Sequence, residues 1–134
     1  MSTDISDNGI KTLPSFHTVG ETLDRLQTLA TSRGMKIFAR INFSRDAAAV
    51  GLEQLPTELL ILGSPKGGTP LMVDVPTVAL DLPLKALAWQ DRQGRCWISY
   101  NSPEYLQRRH DFAPALTANI AGLSTLVDAA ARAE

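Results

Sequence analysis

Apolar residues recur at helical spacing near both ends of this chain and at strand spacing through its middle. Val19, Leu23, Leu26 and Ala30 fall at steps of four, three and four, which is one face of a helix. Thr18 and Glu21 stand just ahead at the capping-box spacing, in which each side chain bonds the other residue's backbone N–H. Arg33-Gly34 follows, with a glycine free to take the left-handed conformation past the last turn. The pattern predicts a helix over residues 18–33. From Met35 to Phe43 the chain alternates: Met35, Ile37, Ala39, Ile41 and Phe43 share one face, with Phe38 the exception among the polar positions. That predicts a strand with its apolar face in the core.

Punctuation divides the rest. Ser44 reads as an N-cap with Asp46 in the first turn of a short helix, closed by Pro56. Glu58–Leu62 is a compact apolar strand, and Gly63–Gly68 reads as a turn. Thr69-Pro70 has the form of a cap followed by proline at the first helical position, opening barely one turn before Pro76. Thr77–Leu82 reads as a further strand. Leu84–Gln90 and Arg95–Tyr100 flank D-R-Q-G, a hairpin signal. Ser102-Pro103-Glu104 opens a helix to His110. Pro114 opens a last helix along Leu116, Ile120, Leu123 and Val127, with a fraying tail. A weaker strand signal covers Lys11–Phe16, and residues 1–10 read as a flexible arm before one domain over residues 11–134.

Strands cluster centrally and long helices flank them. The fold class predicted is α+β, with a largely antiparallel sheet packed by the helix after the first strand and by the C-terminal helices.

Composition narrows the functions. Lys plus Arg is 13 and Asp plus Glu is 14, a net charge of −1, so no excess of cations exists to neutralise a nucleic-acid backbone. One cysteine, Cys96, excludes an intrachain disulfide and a cysteine-rich zinc site. No apolar run approaches the roughly 20 residues of a membrane span, and the N-terminus lacks the basic and apolar regions of a signal peptide. The expectation is a cytoplasmic protein without membrane or nucleic-acid partners.

From Thr57 onward the residues carry a resemblance. T-E-L-L-I-L-G-S-P-K-G-G-T-P-L-M, V-A-L-D-L-P-L-K and W-Q-D-R-Q-G-R-C-W-I-S-Y-N-S-P-E-Y-L, together with the upstream V-G-E-T-L-D-R-L segment, resemble the bacterial and archaeal family called domain of unknown function 302 over residues 15–112. The resemblance implies a TATA-binding-protein-like arrangement, a helix on a curved antiparallel sheet, paired as a homodimer. It supplies no agreed reaction and leaves any cofactor unknown. The chain departs from the family pattern in carrying Ser64 where asparagine is common, and in its longer C-terminal helix.

The S-P-K-G-G-T stretch holds the first candidate chemistry. Backbone N–H groups at a helix start attract anions, Lys66 adds charge and Thr69 a hydroxyl. The order of lysine and glycines excludes a P-loop. Read as a connection, the same stretch is a tight turn that needs a positive φ at Gly67 or Gly68. On the first reading Lys66, Gly67, Gly68 and Thr69 border a small-molecule pocket, with Tyr100 and His110 as polar walls; on the second the stretch is structural. An alternative is acid–base chemistry at Glu58, Asp81 or His110, against which each group simply pairs with a neighbour. His17 and His110 stand 93 residues apart with no carboxylate at ligand spacing, a poor metal signal. Cys96 is expected to pack inward with Ile98 and Tyr100. Trp89 and Trp97 are expected in packing or dimer contacts. A third reading is a dimeric interaction module whose surface is its function.

Overall fold

The computed structural model describes residues 8–134, so most of the arm expected over residues 1–10 lies outside the described residues. Strand β1 (Ile10–Ser15) begins one residue before the expected domain boundary. Helix α1 (Val19–Ser32) follows, with the capping box of Thr18 and Glu21 formed at both ends and Gly34 at φ +81° past its last turn. Strands β2 (Lys36–Asn42), β3 (Thr57–Gly63), β4 (Leu84–Gln90) and β5 (Cys96–Asn101) complete one antiparallel sheet in the order β1-β5-β4-β3-β2. The D-R-Q-G signal makes the β4–β5 hairpin. There Asp91 Oδ1 accepts from the N–H groups of Gln93 and Arg95, and Gly94 takes φ +84°.

Alternation and register define two faces. Leu60, Leu62, Leu84, Ala86, Ala88, Cys96, Ile98 and Tyr100 lie on one face and are buried beneath α1, the late helix and their neighbours. Small side chains at Ala86 and Ala88 let α1 approach closely, and Leu23, Leu26 and Ala30 are fully buried against the sheet. The opposite face carries Leu59, Ile61, Leu87, Trp89 and Trp97, each only half-buried.

Several expectations are corrected. The single apolar face expected of Met35–Phe43 does not exist, because a β-bulge between Ile37 and Ala39 places Phe38 as the extra residue. One extra residue exchanges the faces of everything beyond it. Ile37 therefore pairs with Leu62 on the core face, while Ala39 and Ile41 pair with Ile61 and Leu59 on the other. The same shift turns Arg40 toward α1. Its guanidinium reaches Asp24 at 2.6 Å, Glu58 at 3.0 Å and the Gly20 carbonyl at 3.0 Å.

Helix α2 (Phe43–Ala49) is capped by Asn42, whose Oδ1 accepts from the Arg45 N–H, and Ser44 supports that cap instead of forming it. Thr77–Leu82 is not a strand. Pro76–Asp81 is a 3₁₀ helix, and β3 and β4, the strands that flank it in sequence, are each already paired on both edges. Helix α4 (Pro103–His110) has the predicted Ser102 cap. The last predicted helix is two elements, a 3₁₀ helix over Pro114–Asn119 and α5 (Gly122–Ala131).

The tail of α5 does not fray. Ala130 and Ala131 are buried, and Arg25 of α1 donates to the carbonyls of Ala130 (2.9 Å), Ala129 (3.1 Å) and Glu134 (2.9 Å). A cation at these otherwise unpaired carbonyls also complements the helix dipole. Phe16 N–H donates to the Ala131 carbonyl, joining the end of β1 to the same point. Replacing Arg25 by alanine is expected to destabilise the fold by about 1–3 kcal/mol, the worth of charge-assisted bonds partly open to water. Urea denaturation measures this, and an unchanged midpoint would show that α5 is held by its apolar face alone.

Candidate functional site

The S-P-K-G-G-T stretch is a helix start and not a connecting turn. Ser64 is the N-cap of α3 (Pro65–Asp74): its Oγ accepts from the Gly67 N–H at 3.2 Å, and Pro65 occupies the first helical position. The Ser64 carbonyl accepts from the N–H groups of Gly67 and Gly68. Neither glycine has a positive φ, so the expected left-handed turn is absent. Pro70 lies inside the helix, where the Thr69-Pro70 pair had suggested a beginning. The two glycines serve different purposes. A Cβ at Gly67 would stand 2.9 Å from the Asn119 carbonyl oxygen, so glycine there lets α3 press against the end of the Pro114–Asn119 helix. Asn119 Nδ2 donates back to the Gly67 carbonyl at 3.1 Å. A Cβ at Gly68 would meet Leu82 Cδ1 at 3.6 Å, an ordinary contact.

Beside this helix start lies a cavity of about 410 Å³. Four segments build it. Arg33, Met35 and Phe38 come from the α1–β2 connection and the bulge. Ser64, Pro65, Gly68, Thr69 and Met72 come from β3 and α3. Leu82, Pro83 and Leu84 lead into β4, and Asn119, Ile120, Leu123 and Leu126 lead into and along α5. Leu84, Ile120, Leu123 and Leu126 are buried and form its floor, while Arg33, Phe38, Thr69 and Asn119 are exposed at its mouth. Among the described residues, Arg33 is the only charged one in the wall.

The sequence-predicted site residues separate. Gly68 and Thr69 are walls of this cavity; Lys66, Gly67, Tyr100 and His110 are not. Lys66 is exposed on the first turn of α3. Tyr100 is buried under α5, where loss of solvent, then the nearby Asp128 carboxylate, push its phenol above the ordinary range. His110 turns away to Asp81: its Nε2 lies 2.5 Å from Asp81 Oδ2, which also accepts from Arg109 at 3.1 Å. That cluster ties α4 to the Pro76–Asp81 helix. Glu58 is held by Arg40, so the two carboxylates have separate partners. Cys96 packs inward with Ile98 and Tyr100 as expected, and burial raises its thiol pKa. Asp91 is held below the usual carboxylate range, first by the Trp97 indole N–H and then by the Arg95 N–H. The residues missed from sequence are Arg33, Phe38, Met72, Leu82 and the apolar face of α5. Only Phe38 left a signal, as the break in strand alternation.

Comparisons with known proteins agree with this architecture. The profile of the family described as "Domain of unknown function DUF302" matches residues 11–130. A crystal structure titled as an uncharacterized conserved protein DUF302 from Bacillus stearothermophilus superposes with a TM-score of 0.76, covering 92% of this chain and 96% of that one at 20% identity. Two curated relatives are each 41% identical over 131 residues. They are named "Fluoride-specific ion channel FluC 1", from Brucella suis biovar 1 (strain 1330) and from Brucella abortus biovar 1 (strain 9-941). The match covers 95% of this chain but 52% and 48% of theirs, so the chain spans about half the length of these relatives.

The glycine geometry predicts opposite outcomes for adjacent substitutions. Gly67→Ala is expected to lose about 1–3 kcal/mol through the clash with Asn119. Gly68→Ala is expected to be neutral or to gain up to about 1 kcal/mol, as alanine usually does in a helix interior. Urea titration of both variants decides it; equal effects would contradict the close approach at Gly67.

Proposed function

The chain belongs to the family described as Domain of unknown function DUF302, and from that premise we propose that it is a ligand-binding accessory domain whose site is the cavity beside the start of α3. The observation that carries this reading is the cavity itself: about 410 Å³, within the range of small-molecule sites, with an apolar floor and a few polar groups at its mouth. Its walls favour binding over acid–base catalysis. Glu58, Asp81 and His110 all lie elsewhere, and among the described residues no carboxylate or imidazole faces the space. In the Brucella relatives, a domain of this kind would accompany a channel within one chain. Among the described residues no helix is long and apolar enough to cross a membrane, which supports an accessory part over a conducting one.

The test uses anilinonaphthalene sulfonate, whose fluorescence rises in apolar sites. The wild-type protein is expected to enhance it in the native state. Gly68→Leu, which extends a side chain toward Leu82 and Met72, is expected to remove most of that enhancement while retaining the wild-type circular dichroism. Equal enhancement by a folded Gly68→Leu would place the dye elsewhere and contradict the reading.

A second reading rests on a separate observation, the half-buried apolar face of Leu59, Ile61, Leu87, Trp89 and Trp97. A second copy of this chain would cover that face in a homodimer. Sedimentation at tens of micromolar is expected to give a dimer for wild type and a monomer for Ile61→Lys; a wild-type monomer would contradict it.

A further inference from the structure

The chemistry of the cavity's mouth narrows the ligand. Resting on the reading of the cavity as a binding site, we infer that it takes an anionic amphiphile, a carboxylate on an apolar chain, with its head at Arg33 and its chain along Leu84, Leu123 and Leu126. Arg33 is the one charged residue of the wall, and its guanidinium makes no ion pair with any described residue. Lys36, outside the wall, holds its Nζ 5.0 Å from the ring centroid of Phe38, itself a wall residue. Among the described residues no aspartate or glutamate contributes to the wall. A cation at the rim of an apolar space, with no acid in the described wall to neutralise it, complements a single negative head on an apolar body.

The start of α3 is a poorer place for that head. Ser64 already accepts from the Gly67 N–H through its side chain and from Gly67 and Gly68 through its carbonyl, and Pro65 has no N–H to offer. Asn119 at the mouth has its amide turned to the Gly67 carbonyl. Arg33 therefore remains as the free charged donor, while Lys66, the lysine that the sequence pattern offers, lies outside the wall.

Isothermal titration of the intact chain with decanoate, decanol and acetate, kept below micellar concentrations, tests this. The wild type is expected to bind decanoate more tightly than decanol and to bind acetate negligibly. Arg33→Gln is expected to weaken decanoate about tenfold, the effect of losing one charge-assisted contact, and to leave decanol unchanged. Gly68→Leu is expected to weaken both. Decanol binding as tightly as decanoate, or decanoate binding undiminished by Arg33→Gln, would overturn the anionic head while leaving the cavity reading intact. Failure of both amphiphiles to bind, or equal binding by Gly68→Leu, would overturn the amphiphile site together with the cavity reading on which it rests.

Discussion

One apolar layer between a five-stranded sheet and two helices holds this molecule together. Leu23, Leu26 and Ala30 of α1 and Leu123, Leu126, Val127 and Ala130 of α5 are all buried on the same side of the sheet. Burial of a single large aliphatic side chain contributes about 1.5–3 kcal/mol, so this layer is the main favourable term. Everything else is arranged around it. Arg25 crosses from α1 to close the end of α5, and Arg40 crosses from β2 to fasten the start of α1 through Asp24 and the Gly20 carbonyl. The cavity lies where the helical layer stops short, beyond the last turn of α1 and beside the first half of α5.

The elements most legible in the sequence were those whose signals are local. The Thr18–Glu21 box, the Ser102 cap and the D-R-Q-G hairpin depend on residues within one turn of each other, and each formed as read. The errors arose where distant contacts decide. Thr69-Pro70 has the local form of a helix start, yet Ser64 caps the helix five residues earlier and Leu71, fully buried, holds the proline-containing turn in place. Val78 reads as a strand residue by type, but the neighbouring strand has no open edge for it. Phe38 is instructive because the sequence did mark it: the break in alternation was visible, and its consequence, the exchange of faces along β2, followed from pairing that no single strand reveals.

The candidate site was legible only in part for the same reason. Within the S-P-K-G-G-T stretch, Gly68 and Thr69 line the cavity. The other walls come from segments scattered between Arg33 and Leu126, and no local pattern joins them. Tyr100 and His110 were plausible polar walls by type. The fold gives Tyr100 to the core beneath α5 and commits His110 to Asp81, so their polar atoms serve packing between elements. The Bacillus stearothermophilus structure shares the backbone arrangement at 20% identity.

The central claim is that the cavity, and not the half-buried sheet face, is where small molecules bind. Two-dimensional amide NMR during a decanoate titration locates binding without relying on any substitution. The account predicts shifts concentrated at Ser64–Met72, Leu82–Leu84 and Ile120–Leu126, with the amides of Leu59, Leu87 and Trp89 unmoved. Shifts centred on those sheet residues, or none at all, would contradict it.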